Sequence, residues 1–157
     1  MKTIQKLLII VLALLVALIV WYFAGGKLEA SAMSASAMAS DYSDAYAAAA
    51  AIVRSGAAPQ TFSSASLDSS EGYELVDATI RLNNRGLFAG EWLEISVNPG
   101  EGDVAVYSVS GASGDVPAFG SGQLNVKLIT RDAGAQRSAT VSYYVLGMRR
   151  SITVPLN

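Results

Sequence analysis

"VDATIRLNNRGLFAGEWLEISVNPG", residues 76 to 100, decides the fold class. Its apolar residues recur at every second position: Val76, Ala78, Ile80 and Leu82, then Leu93, Ile95 and Val97. Asp77, Thr79, Arg81 and Asn83, then Glu94, Ser96 and Asn98, fill the places between. Successive side chains of a strand point to opposite faces, so this is the pattern of two half-buried antiparallel strands, each with one wet face. Asn84, Arg85 and Gly86 mark the reversal between them, and Pro99-Gly100 ends the second.

The alternation continues to the C-terminus. "LNVKLIT" (124–130) aligns Leu124, Val126 and Leu128; "ATVSYYV" (139–145) aligns Ala139, Val141, Tyr143 and Val145; "SITVPL" (151–156) aligns Ile152, Val154 and Leu156. "VAVYSV" (104–109) is apolar on both faces, which marks a central or twisted strand. A further strand is expected over Thr61–Leu67, although "TFSSASL" is mostly serine. Clusters of Gly, Pro, Asn and Asp separate the segments, and Gly147 sits in a tight hairpin between the last two. Seven short strands without helices over residues 61–157 point to an antiparallel β-sandwich.

The N-terminal third reads differently. Leu7 to Ala24 is an unbroken apolar run without charge, Gly or Pro. As a helix it is about 27 Å long, close to the ~30 Å hydrocarbon core of a bilayer. It exceeds the ~7–15 apolar residues of a secretory signal. Trp21, Tyr22 and Phe23 close the run with rings suited to the membrane–water boundary. Lys2 and Lys6 precede the run, so the positive-inside rule puts the N-terminus in the cytoplasm and the bulk of the chain outside. Residues 1–26 are read as a retained anchor in membrane lipid, a single-pass span. The alternative is secretion after cleavage at Ala30-Ser31-Ala32, but this Ala/Ser tract generates small-x-small sites freely.

Residues 27–60 are read as an Ala/Ser-rich helical stalk. Asp41 and Asp44 suit a first turn, the alanines at 47–51 have the best helix propensity, and Arg54 and Gly56 suit the end. Residues 27–40 are expected to continue that helix or to form a Ser/Ala linker. Tyr42, Tyr46, Ala49 or Ala50 and Val53 form one stripe, which packs either on the β domain or on another helix.

The run 76–100, with its Asn84-Arg85-Gly86 turn between two alternating strands, resembles immunoglobulin-like modules of bacterial and archaeal surface proteins, including the CARDB type. The resemblance spans about residues 61–157. It implies a seven-stranded immunoglobulin-like sandwich outside the cytoplasm with an interaction or spacer role. It carries no binding residues to transfer.

Composition narrows the chemistry. The 157 residues contain no Cys and no His, which removes disulfides, thiolate chemistry and most metal sites and triads. The net charge is −2 with no basic run, so nucleic-acid binding has no support. Glu91 and Glu94, three apart on a strand, are expected on opposite faces and make poor acid/base partners. Glu101 and Asp103 flank Gly102 and offer at most a weak cation loop; an ordinary acidic turn is expected. No catalytic, cofactor or metal residue is assigned, and an enzyme is not expected.

Candidate partner contacts are Trp92, Leu87, Phe88 and Tyr144. Simple alternation puts Trp92 toward solvent. Immunoglobulin-like sandwiches bury a Trp on this strand, so a bulge at Gly90–Trp92 is expected to turn it inward. Exposed, it joins Leu87 and Phe88 as an apolar patch for a protein partner or for self-association. Tyr144, opposite in phase to Tyr143, is a further surface candidate. The functional expectation is a membrane-anchored extracytoplasmic sandwich with a binding, assembly or structural role. Alternatives are a pilin-like filament subunit, which lacks the prepilin signature here, and a secreted carbohydrate-binding module or enzyme.

Overall fold

The computed structural model describes residues 2–24, 28–111 and 114–156. In chain order these form α1 (Lys2–Ala24), β1 (Leu28–Met38), a 3₁₀ turn (Ala39–Tyr42), α2 (Ser43–Arg54), β2 (Gln60–Thr61), β3 (Glu74–Asn84), β4 (Glu91–Asn98), β5 (Asp103–Gly111), β6 (Ser121–Thr130), β7 (Ser138–Val145) and β8 (Met148–Pro155). The strands make two antiparallel sheets, ordered β1-β3-β6-β5-β2 and β4-β7-β8. The expected mainly-β, two-sheet architecture is thus present. The side chains of Trp21, Tyr22 and Phe23, and all of residues 25–27, lie outside the described residues, so the aromatic flank stays a reading of the sequence.

The alternating positions face each other between the sheets. Val76, Ala78, Ile80 and Leu82 of β3 and Leu124, Val126 and Leu128 of β6 meet Val97 of β4, Val141, Tyr143 and Val145 of β7, and Val154 of β8. Each fully buried aliphatic side chain contributes about 1.5–3 kcal/mol relative to exposure, so this cluster dominates stability.

The largest departure from expectation is β1. "LEASAMSASAM" is neither helix nor linker but an eleven-residue edge strand, in register with β3 from Leu28↔Asn84 to Met38↔Glu74. Alanine's helix advantage is a few tenths of a kcal/mol per residue, and a short isolated helix is marginal in water. Against it stand a full ladder of hydrogen bonds and the burial of Leu28, which is 3% exposed. Leu28 packs beside Tyr143, and its N–H donates to the Tyr143 hydroxyl oxygen at 3.1 Å. Ala30 and Ala32 follow it onto the core. The stalk expected over 27–60 is therefore helical only from Ser43 to Arg54, and the described strands number eight, against seven expected.

α2 packs as one of the two expected alternatives, on the β domain. Tyr46, Ala49 and Ala50 are buried against Leu67, Tyr73, Val104, Ala105 and Ile129 on the outer face of the five-stranded sheet, while Tyr42 is exposed. The Tyr46 and Tyr73 rings stack at 5.8 Å, and the Arg131 guanidinium sits 5.1 Å from the Tyr73 centroid. This second core explains why β5 is apolar on both faces: one faces β4, β7 and β8, and the other faces α2. The strand expected over Thr61–Leu67 shrinks to Gln60–Thr61, paired with Val106 and Ala105. Leu67 instead drops into the core under α2.

Candidate functional site

The strand directions gather several connections at one end of the sandwich. Leu28, where the chain enters β1, lies opposite Asn84 at the end of β3. β6 begins there at Ser121, and β5 ends there at Gly111. In the other sheet, Glu91 at the start of β4 pairs with Tyr144, and Val145 pairs with Met148 across the hairpin tip. The β3–β4 loop, the described part of the β5–β6 connection and the β7–β8 tip therefore share this end with the chain entry. The opposite end carries Met38, Glu74, Thr130, Asn98 and Pro155.

Backbone hydrogen bonds knit the loops into a platform. Gly90 and Val116 exchange two bonds of 2.8 Å, and the Leu93 N–H donates to the Gly114 carbonyl at 2.9 Å. The Phe119 N–H reaches the Gly86 carbonyl at 3.2 Å. The buried Asn84 is the hub. Its Nδ2 donates to the carbonyls of Phe88 (2.7 Å), Val116 (3.2 Å) and Pro117 (3.1 Å), while its Oδ1 accepts from the Gly86 N–H at 2.9 Å. The Asn-x-Gly turn read from the sequence thus also fastens a loop about thirty residues away. Asn84→Ala removes these partners from buried carbonyls and is expected to cost about 2–3 kcal/mol. It should also speed amide hydrogen exchange at Gly86, Gly90 and Val116 ahead of the strands; uniform exchange would contradict the hub role.

Five large apolar side chains stand on this platform: Leu87 (41% exposed), Phe88 (37%), Trp92 (75%), Phe119 (68%) and Leu146 (54%). The expected inward turn of Trp92 does not occur. The register between β4 and β7 does slip between Glu91 and Glu94, as a bulge requires, but the indole stays outside. At the neighbouring Gly90 the core side is filled: a Cβ there would meet Leu28 Cδ1 at 3.2 Å and Tyr143 Cδ2 at 3.5 Å. Both Glu91 and Glu94 are exposed, with Glu94 3.7 Å from Arg149, so the expected split between faces is lost at the bulge. Tyr144 is half-buried on β7 across from Glu91.

Trp92, Phe119 and Leu146 share a second property. They are the only described non-glycine residues with positive φ, at 55°, 55° and 50°. Bulky residues seldom adopt this region, where the Cβ crowds the backbone. The structure thus brings Trp92, Leu87, Phe88 and Tyr144 to one end and adds Phe119 and Leu146, which the sequence reading did not select. Each of those two immediately precedes a turn glycine, Gly120 and Gly147, and that was the only local signal.

Among the described residues, no buried side-chain nitrogen or oxygen is left without a hydrogen-bond partner. The Asp103 carboxylate, read as one half of a weak cation loop, accepts from Arg137 Nε at 3.1 Å and Nη2 at 2.9 Å, and from the Gly100 N–H at 2.7 Å. On the outer face of the five-stranded sheet Lys127 pairs with Asp77 at 3.0 Å; that hydrogen bond holds the ammonium above its usual pKa. Burial pushes the Tyr107 phenol up, away from any role as a base near neutral pH. No group of three or more potential metal ligands occurs among the described residues.

The sequence matches no protein-family model and no curated protein. Solved structures show a loose all-β likeness. One is the GAE domain of GGA2p from Saccharomyces cerevisiae, with a TM-score of 0.40 and 11% identity over 53% of this chain and 83% of that one. Another is a yeast GGA1 GAE domain, with a TM-score of 0.39 and 10% identity over 62% and 86%. A FixG-related protein from Vibrio parahaemolyticus has a TM-score of 0.36 and 14% identity over 59% and 84%.

Proposed function

We propose that this chain is a single-pass membrane protein that holds an immunoglobulin-like sandwich outside the cytoplasm and acts by binding or assembly, without catalysis. The observation that carries this reading is the position of β1. It begins at Leu28, four residues beyond the end of α1 at Ala24. The cleavage site Ala30-Ser31-Ala32 falls inside β1, as does the small-x-small match at Ala35/Ala37, while the one at Ala37/Ala39 runs from the end of β1 into the 3₁₀ turn. Cutting there would remove Leu28 from the core and strip the first five rungs from the β3 edge. Retention leaves the sandwich intact. α1 itself supports the same reading, because its most apolar window, Thr3–Val20, has a mean hydropathy of 2.7 and is 0% buried by the rest of the chain. The fifteen exposed apolar residues of this window, Ile4 and 7–20, are strongly unfavourable in water, whereas a bilayer covers them.

The contact surface in this reading is the platform bearing Trp92, Leu87 and Phe88, with Tyr144 beside it. The CARDB-like surface module suggested by Asn84-Arg85-Gly86 belongs to the same proposal. A pilin-like subunit fits less well, since a strand and not a continuing helix follows the apolar segment. Intact-mass analysis and N-terminal sequencing of the mature protein, with alkaline carbonate extraction of membranes, test the reading. The expected result is a carbonate-resistant chain that retains residues 1–27. A carbonate-soluble protein beginning at Met33 would overturn it.

A further inference from the structure

We propose that the apolar end of the sandwich is a lipid-docking surface. Leu87, Phe88, Trp92, Phe119 and Leu146 rest in the headgroup interface of the same bilayer that α1 spans. The proposal rests on the anchoring reading above and names the partner of that same site.

Covalent reach sets the geometry. Four Cα–Cα steps separate Ala24 from Leu28, so the start of β1 lies within about 15 Å of the end of α1. β1, with eleven residues, extends about 37 Å, so Leu28 and not Met38 is the end of the strand held close to α1. The interfacial layer on each side of the hydrocarbon core is about 5–8 Å thick. The end carrying Leu28 is therefore the end that meets it, and that end also bears the exposed apolar loops.

The conformations of the loop residues point the same way. Trp92, Phe119 and Leu146 combine high exposure with left-handed backbone. Turn geometry sets two of these backbones: Leu146 and Gly147 form the two-residue loop between Val145 and Met148, and Phe119 lies in the turn closed by the Gly120 N–H on the Pro117 carbonyl at 3.0 Å. Such positions favour glycine, and a bulky residue there costs on the order of 1–3 kcal/mol, so the turns themselves do not call for large apolar side chains. Packing within the chain does not explain the three side chains, which point away from the core. Contact with an interface that favours Trp and Phe does explain them. Scattered exposed apolar residues need no explanation, but these converge on the one end of the sandwich tethered to a membrane span.

Charge indicates the kind of lipid surface. Arg85 is paired with Glu29 at 3.0 Å and Arg149 with Glu94 at 3.7 Å, while Arg150 shares this end with Glu91 and Asp115, so the described residues here carry no net positive charge. Docking is accordingly driven by apolar and aromatic contact. It should occur on neutral phosphatidylcholine and not require anionic lipid.

The chain has two tryptophans, Trp21 and Trp92, which separates the two levels of the argument. Full-length W21F and W92F chains are reconstituted in phosphatidylcholine vesicles with and without lipid brominated near the top of the acyl chains. The expected result is quenching of Trp21 in W92F and of Trp92 in W21F, with the Trp92 emission blue-shifted and shielded from aqueous acrylamide. Quenching of Trp21 alone, with Trp92 open to acrylamide, would overturn the docking surface and leave the anchor standing. Trp92 shielded from acrylamide but untouched by brominated lipid would mean that a second copy covers the loops, which also overturns it. Quenching of neither would overturn the anchor itself. Restoring aqueous acrylamide access by L87S/F119S in the W21F chain, without loss of the far-ultraviolet β signal, is the expected corroboration.

Discussion

Arg137→Ala is expected to lower the melting temperature of the sandwich by about 10–20 °C, corresponding to a loss of about 3–5 kcal/mol. The side chains of Arg137 and Asp103 are 1% and 0% exposed, so each depends on the other for charge compensation. Arg137 also donates from Nη1 to the Ala133 carbonyl at 3.0 Å and from Nη2 to the Asp132 carbonyl at 2.6 Å. Asp103 secures the β4–β5 turn through the Gly100 N–H. One substitution therefore leaves a buried carboxylate without its partner and frees two carbonyls belonging to a different loop. Replacing both residues by Asp103→Leu and Arg137→Met should recover part of the loss, because no isolated charge then remains buried. Calorimetric melts of the three chains check this. A single substitution costing less than about 1 kcal/mol would mean that the pair does not fasten the two loops.

The second large effect concerns where the folding unit begins. A fragment starting at Thr61, the sequence-based boundary of the sandwich, is expected to lack a cooperative melt, whereas one starting at Leu28 should fold. The shorter fragment loses β1 and with it the cover along the β3 edge, where Val76, Ala78, Ile80 and Leu82 line the core. It also loses α2, exposing Tyr73, Leu67, Val104, Ala105 and Ile129. Losing the burial of Leu28 and Tyr46 alone forfeits about 3–6 kcal/mol, against a total stability of about 5–15 kcal/mol for a typical domain. An open, flat β3 edge also invites pairing between chains. Circular dichroism melts and sedimentation of the two fragments decide the matter. A monomeric, cooperatively melting fragment from Thr61 would show β1 and α2 to be accessories.

The difference between these fragments marks the limit of what local pattern reveals. The alternation in 76–98 suffices for β3 and β4 because each turns one face to the core, although they lie in different sheets and pair with other strands. The two-faced β5 could be read as central, although its cover turns out to be α2 on one side. β1 could not be read, because its partner register begins at Asn84, far along the chain, and Ala/Ser composition favours helix when no partner is in view. The Arg137–Asp103 pair was equally hidden: one residue closes the β6–β7 loop and the other opens β5, 34 positions apart. Leu87, Phe88 and Trp92 were legible as a patch through closeness in sequence. Phe119 and Leu146 joined them only once three loops converged, and Trp92 stays exposed where the β4–β7 register slips between Glu91 and Glu94.

Pulled from its far end, the sandwich resists as a lap joint does. β1 runs from Leu28 away to Met38, and β8 finishes at that same far end at Pro155. Tension between α1 and anything gripping the far end draws β1 lengthwise along β3, so all eleven paired positions share the strain at once. Tension applied between Leu28 and Arg85, neighbours at the near end, would instead peel the rungs one at a time. Single-molecule pulling through these two attachment pairs should give a much higher rupture force for the first, and equal forces would refute the geometry. A protein built this way tolerates tugging along its long axis and yields only when pried open at the end where β1 begins.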